Sequence, residues 1–509
     1  MHDCLNVDEI VRLLVSGLVA CGWKETAVAL ACCCKKFEDP VLGVLWKEQK
    51  RLDVLLATLP EGVWDERHHD FVFKTMPTGA EWARFTKYCR RMRELELEQP
   101  KELIPSNVLS VLQLRTLNEP LLPNLKSLEL NKSTADIVPF IPLFLSHMTT
   151  NIEIGFADGS SAVMVASMMI NLPKLCPHVQ SISLSPLPRD PAITNATSEI
   201  LLNCNLDALR FFHVDSSLTE EARKVVFQLP NLSGLWTVFT EPIPPPEVSL
   251  PNLTSLDIEY HHDHAWLEGF HGTTFSKLTE VTFHAEPHEV GAFLEAFEHF
   301  ALATSASAVL SHFRFHTSLA WSPSYYSLLG FKQLIELVVE FSCDDGCSSW
   351  LDDEILITLA QAMPQLEILQ LGKAPCQVPS NVTVHGLIAL AHHCLKLTKL
   401  CVHFQTDSII LALSNQTVPS AQETHLPRED CALTSLQVGA IPMPQHHTFS
   451  VFLVLLRIFP RLLNIEYVDE GWKWVDATIK LTGQIDTFVH RSISTLSSTL
   501  EVEAAEGTL

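Results

Sequence analysis

The chain has 509 residues, and 59 acidic against 35 basic side chains give a formal charge of −24. Hydrophobic residues make up 47% and charged residues 18%, which excludes wholesale disorder and allows a sizeable buried core. Such an acidic chain does not hold nucleic acid or an anionic membrane through its overall field, so basic or neutral protein surfaces suit it better.

The first ten residues carry Asp3, Asp8 and Glu9 and no basic region, so they do not read as a signal peptide. The longest apolar run, Phe449 to Phe459, is broken by Ser450 and Arg457. It falls short of the roughly 18 residues of a spanning helix and reads as a core helix. The expected location is intracellular, cytoplasmic or nuclear, with no membrane and no nucleic-acid partner. The 14 cysteines are scattered apart from the adjacent Cys32, Cys33 and Cys34, and no C-x-x-C pair occurs. Zinc-finger and RING-type sites are thereby excluded; the thiols are expected to be reduced and largely buried. Asn-x-Ser/Thr triplets such as those at Asn231 and Asn252 are then chance matches.

Residues 1–50 read as a small helical unit. Asp8 is placed to cap a first helix with Ile10, Val11, Leu13 and Leu14. A second helical stretch runs through Ala27 to Cys34. A third starts near Pro40, which suits a first turn, and carries Val41, Leu42, Leu45 and Trp46. So small a core wants a partner or the rest of the chain to cover it. Residues 51–88 read as a helical linker.

From residue 89 to 470 one phrase recurs: a Pro or small residue, one residue, then L-x-x-L-x-L. Clear copies are PNLKSLEL from Pro123, PNLTSLDI from Pro251, PQLEILQL from Pro364, LKLTKLCV from Leu395 and ALTSLQV from Ala432. With weaker copies there are fourteen, at intervals of 21 to 36 residues. Their mean of about 28 lies at the long end of the leucine-rich-repeat range. Alternating apolar positions within the phrase share one face of a short strand, and stacked neighbours bury that face. Between copies lie helical patterns. Asp352 or Asp353 can cap one with Ile355, Leu356, Leu359, Ala360 and Met363; Thr383 can cap another with Val384, Leu387, Ile388, Ala391 and Leu395. The fold class is therefore α/β: a small all-α N-terminal unit, then an irregular leucine-rich-repeat solenoid with parallel strands concave and helices convex. The repeats are irregular, because none ends on the usual Asn or Cys; Ser133, Ser217, Thr240 and Ser342 stand there instead. Residues 471–509 form a C-terminal cap, Gly471 to Val489 with Trp472 and Trp474, and an acidic Ser/Thr-rich tail.

If the apolar phrase positions face the core, the alternate ones face the concave solvent side. These include Phe211, His213 and Asp215; Trp236; Asp257 and Glu259; Glu280 and His284; His312, Arg314 and His316; and Glu336 and Glu340. Exposed aromatics amid carboxylates and imidazoles suit a protein partner with a basic surface and an apolar anchor. Other chemistry is thin. His261, His262 and His264 around Asp263, His68-His69-Asp70, and Cys343 and Cys347 around Asp344 and Asp345 read as solvated loops rather than metal sites. No glycine-rich phosphate loop and no G-x-S-x-G elbow occurs. The expectation is no cofactor, no metal and no enzymatic activity. The enzyme rival, a metal-dependent hydrolase built on the His261 cluster, is weak.

The segments CLNVDEIVRLLVSGLV and TAVALACCCKKFEDPVLGVLW resemble an F-box. The resemblance rests on Leu5, Glu9-Ile10, Leu13-Leu14, Ala31 to Phe37, and Leu45-Trp46; Asp8 stands where that family usually has Pro. EWARFTKYCRRMREL (Glu81 to Leu95) resembles the stretch joining F-box to repeats in fungal F-box/leucine-rich-repeat proteins. The resemblance implies that the head docks on a Skp-type adaptor, and through it on an SCF-type cullin–RING ubiquitin ligase. Leu5, Ile10, Leu13, Leu14, Leu45 and Trp46 are then the candidate adaptor contacts. The repeats would hold an unknown substrate protein, with Phe211, His213, Trp236, Asp257, Glu259, Glu280, His284, His312, Arg314 and His316 as candidates. The alternative is a leucine-rich-repeat interaction scaffold without a ubiquitination role.

Overall fold

The computed structural model describes residues 7–60, 62–67, 70–97, 106–116, 119–133, 135–239, 250–260, 275–285, 300, 309–317, 328–341, 351–372, 380–407, 431–439, 443, 447–467 and 470–482. The chain divides into two compact units, Met1–Val238 and Phe239–Leu509.

The first unit opens with three helices, α1 (Asp8–Ala20), α2 (Lys24–Cys33) and α3 (Lys35–Leu45). Val11, Val15, Ala27, Phe37 and Val41 form their core. Two helix starts differ from the sequence reading. Val7, with no capping side chain, stands at the N-cap of α1, and Asp8 lies in its first turn, where a carboxylate favours the helix dipole. Helix α3 begins at Lys35, so Pro40 is a buried interior residue rather than a first-turn one. The segment after the head is also not wholly helical. It contains a short helix (Asp53–Leu56), an antiparallel hairpin of β2 (Trp64–Arg67) and β3 (Asp70–Phe73), and a helix Gly79–Cys89. That last helix starts with a capping box, in which Thr78 and Glu81 bond reciprocally. Arg91 pairs with Asp39, and Lys87 lies 3.4 Å from Glu38, so this segment is tied to α3.

The repeat sheet starts earlier than the phrase predicts. Strand β1 (Glu48–Gln49), directly after the head, pairs in parallel with β4 (Glu94–Leu97). Then follow β5 (Ser127–Ser133), β6 (Asn151–Phe156), β7 (Ser181–Leu184), β8 (Phe211–Ser217) and β9 (Gly234–Phe239), each parallel to the one before. Leu128, Leu130, Ile152, Ile154, Ile182, Leu184, Phe212 and Val214 are buried. The alternate residues of these strands face away from that core, as period-two geometry requires. Helices Ser106–Arg115, Ala162–Leu175, Pro191–Asn203 and Glu220–Val226 lie between strands; Asp190 and Thr219 cap the last two.

The second unit repeats the plan with β10 (Ser255–Tyr260), β11 (Glu280–Ala285), β12 (His312–Thr317), β13 (Glu336–Phe341), β14 (Ile368–Leu371), β15 (Lys399–Val402), β16 (Ser435–Gly439) and β17 (Asn464–Tyr467), all parallel in chain order. Each of the fourteen phrases carries a strand. Asp352 caps helix Asp353–Ala362 and Thr383 caps Val384–His393, as their spacing predicts. A buried Trp472 and the helical turns over 473–482 follow β17. Asp476 accepts a hydrogen bond from Ile465 N at 2.9 Å, giving a partner to a β17 amide. The tail beyond 482 lies outside the described residues.

Side-chain hydrogen bonds tie successive repeats together. The residue just before a strand repeatedly donates its hydroxyl to a main-chain carbonyl one repeat earlier. Thr150 donates to Lys126 O, Ser233 to Arg210 O, Thr279 to Thr254 O, Ser311 to Thr279 O, Thr398 to Glu367 O and Thr434 to Thr398 O. The Asn of the PNL phrase does likewise, Asn124 Nδ2 to Arg90 O and Asn231 Nδ2 to Asp207 O. Hydrogen bonds of this kind contribute about 1 kcal/mol each. The parallel strands, their buried alternate leucines and these inter-repeat bonds make both units leucine-rich-repeat α/β stacks.

Candidate recognition surfaces

Helix α1 has two faces. Val11 and Val15 point into the head, while Val7 (43% exposed), Ile10 (38%), Leu13 (77%) and Leu14 (49%) point outward. At about 100° per residue, Ile10, Leu13 and Leu14 share one stripe away from the core pair. Trp23 and Val28 are exposed apolar residues of the same helical head, which sequence reasoning did not single out. Two other candidates turn inward. Leu45 packs on the head core, and Trp46 is partly buried with its ring 4.6 Å from that of Tyr88. Leu5 lies outside the described residues.

On the repeat sheet of the first unit, parallel register aligns one side chain per strand. Glu96, Glu129, Glu153, Ser183, His213 and Trp236 are successive register partners on β4 to β9. They stand on the face opposite the buried leucines. Lys50 pairs with Glu96 at 2.8 Å, and Asn131 donates to Glu129 at 3.2 Å. Glu153 has its pKa raised, first by desolvation and then by Glu129. His213 lies 3.2 Å from Ser183 Oγ through Nδ1, and burial pushes its pKa down to about 4, so it is neutral at pH 7. Its ring centroid is 3.5 Å from that of Trp236. One register step away, Phe211 is 48% exposed and lies over Gly234. A Cβ at Gly234 would sit 2.5 Å from Phe211 Cδ1, so the ring position requires glycine there.

In the second unit, Glu259, His284, His316 and Glu340 form one row across β10 to β13. The two imidazoles stack at 4.7 Å with planes 8° apart. His316 Nδ1 lies 3.0 Å from Glu340 Oε2, and Gln370 Nε2 donates to Glu340 Oε1 at 2.7 Å. Asp257 Oδ1 is 3.6 Å from His284 Nε2. Burial first and Glu259 second push the Asp257 pKa up to about 7, while desolvation followed by His316 lowers that of His284. Both shifts disfavour the charged forms, so this contact is weaker than a salt bridge. In the next row Arg314 grips Glu336 through Nε (2.6 Å) and a terminal nitrogen (3.1 Å), a bidentate pair. Glu336 is therefore not on the solvent surface: it is 8% exposed beneath that guanidinium. His312 and Ile368 flank it in register, and Glu280 stands one strand beyond His312.

The sequence candidates on the repeats thus fall into two patches, Phe211, His213 and Trp236 in one unit and the remainder in the other. Sequence reasoning missed Glu96, Glu129, Glu153 and Ser183, which only the register brings into line with His213. Among the described residues no three His, Cys, Asp or Glu side chains converge to hold a metal. The clusters at His261–His264 and Cys343–Cys347, and His68-His69, lie outside the described residues. Among the described residues no helix is long and apolar enough to cross a membrane.

No protein-family model matches the chain, and no curated protein matches it. Among solved structures, the Rad7 and Elc1 complex in yeast is 16% identical, over 74% of this chain and 92% of that one, with TM-score 0.39. The TLR13–ssRNA13 complex is 11% identical over 75% of this chain and 57% of that one, with TM-score 0.30. Likeness at this level carries no functional inference. The leucine-rich-repeat architecture stands on the register and burial described above.

Proposed function

We propose that the chain is a substrate receptor of an SCF-type cullin–RING ubiquitin ligase. The helical head docks on a Skp-type adaptor, and the open faces of the repeat sheets bind the substrate protein. The observation that carries this reading is the outward stripe of α1, with Leu13 77% exposed and Leu14 49% exposed beside a separate buried core. What sets these leucines apart is that they share one stripe with Ile10 on a single helix face. Full burial at an interface contributes roughly 1.5–3 kcal/mol for each. Its place at the end of the chain that resembles an F-box gives the stripe its partner. The receptor does no chemistry of its own; ubiquitin transfer belongs to the other subunits.

Co-expression with a Skp-type adaptor tests the reading. The natural chain co-purifies with the adaptor, and a Leu13→Asp/Leu14→Asp variant with an unchanged circular dichroism spectrum does not. A natural chain that never retains the adaptor leaves the solenoid as an interaction scaffold outside ubiquitination.

A further inference from the structure

The row on β4 to β9 is more specific than a general binding face. Three kinds of group stand on it or one register step beside it. The first is an aromatic platform: Phe211, half exposed over Gly234, with His213 and Trp236 next to it. The second is a pair of carboxylates, Glu129 and Glu153, on adjacent strands about 5 Å apart in the sheet. The third is a pair of ring nitrogens, His213 Nε2 and Trp236 Nε1, which are out of water and have no hydrogen-bond partner among the described residues.

Each group lacks something a guest can supply. Glu96 already has its cation in Lys50. Neither Glu129 nor Glu153 forms an ion pair among the described residues, and His213, two strands from Glu153, is uncharged. Two facing carboxylates without a counter-ion repel, and a single ammonium or guanidinium between them removes the repulsion and gains two attractions. An exposed Phe beside Trp is a ready anchor surface, since buried aromatics dominate interface energies. The orphaned ring nitrogens, held out of water where the two rings meet, carry a free-energy cost in the free protein.

We propose that this row binds a basic peptide segment of the substrate, with a Lys or Arg side chain between Glu129 and Glu153 and an apolar residue on Phe211 and Trp236. The proposal rests on the solenoid being the substrate-binding half of the receptor, and it adds the site and the chemistry of the partner.

The test uses the full chain and a fluorescein-labelled peptide, Gly-Lys-Phe-Lys-Leu-Arg-Gly, read by anisotropy at two salt concentrations. Two control peptides replace the cations by Glu or the apolar residues by Ser. Saturable binding of the first peptide alone is expected, weakened by salt. Glu129→Gln/Glu153→Gln weakens it at least about tenfold and flattens the salt dependence. Phe211→Ser weakens it similarly, and Glu221→Gln, an exposed carboxylate on helix Glu220–Val226 rather than on this sheet face, changes it less than about threefold. Unchanged affinity in the double Glu variant, equal binding of the acidic peptide, or no saturable binding of the basic peptide overturns the proposal. Adaptor co-purification from the same preparation is scored separately. A chain that keeps the adaptor but ignores the basic peptide refutes this site and leaves the receptor reading intact.

Discussion

Asp257 gives the second unit a pH-dependent stability with a definite sign. Its pKa is pushed up to about 7 by burial and by Glu259, against an ordinary value of 3.8. Below about pH 4 the carboxyl is protonated in folded and unfolded chains alike, and the group costs nothing. Between pH 4 and 7 the unfolded chain releases the proton while the folded chain keeps it, so stability falls as pH rises. Above 7 the loss is complete and constant. At about 1.4 kcal/mol per pKa unit the full gap corresponds to about 4 kcal/mol. A third of the side chain remains exposed, so solvent screening brings the expected cost down to about 1–2 kcal/mol. Asp257→Asn removes the titration and keeps the shape. Urea unfolding of the natural chain and the variant, followed by circular dichroism from pH 4.5 to 8, reads the difference. The variant gains on the natural chain through this window by about 1–2 kcal/mol and then levels off. Parallel curves, or a gain that grows toward acid, refute the reasoning.

Other expectations follow from specific contacts. Asp353 Oδ1 accepts from Thr383 N at 2.7 Å and Gly386 N at 3.1 Å, and its other oxygen accepts from Thr383 Oγ1. Asp353→Ala leaves the start of the next helix without these acceptors and costs about 2–4 kcal/mol in denaturant unfolding. Gly386→Ala also destabilises, although helix propensity alone predicts a gain of about 1 kcal/mol, because the new Cβ would meet Asp353 Oδ1 at 2.7 Å. A more stable Gly386→Ala variant would contradict that geometry. Gly234→Ala pushes the Phe211 ring aside and lowers basic-peptide affinity while stability changes by less than about 1 kcal/mol, since the ring can swing into solvent. Burial pushes Cys176, Cys204, Cys394 and Cys401 thiols up to about 12, whereas Cys21, Cys32 and Cys33 are exposed. Maleimide labelling of the native chain at pH 8, mapped by mass spectrometry, therefore finds the exposed three first; early labelling of Cys176 or Cys394 would count against the packing.

The strands were readable because each phrase alternates apolar and polar residues, and that pattern has one low-energy placement against neighbouring repeats. Helix starts at Asp352 and Thr383 were readable because a capping oxygen precedes helical spacing. The start of α3 was hidden, since Lys35 and Lys36 carry no apolar signal and Pro40 mimics a first turn. The hairpin β2–β3 was hidden for a similar reason: Asp65, Glu66 and Arg67 break any period-two pattern. On α1, spacing showed the helix but could not separate the core pair Val11 and Val15 from the outward Ile10, Leu13 and Leu14, because all five are apolar. The Glu96–Trp236 row exists only through the register of strands up to about 140 positions apart in sequence. The hydroxyl ties between repeats use Thr at four places and Ser at two, at a position the usual repeat pattern does not mark.

The most direct test of the central claim is the affinity of the purified full chain for a purified Skp-type adaptor, measured by isothermal titration calorimetry. A one-to-one complex of submicromolar Kd is expected, with a negative heat-capacity change from burial of the α1 stripe. A folded Leu13→Asp/Leu14→Asp variant shows no measurable binding. An absence of heat with the natural chain, or undiminished affinity in the variant, contradicts the claim.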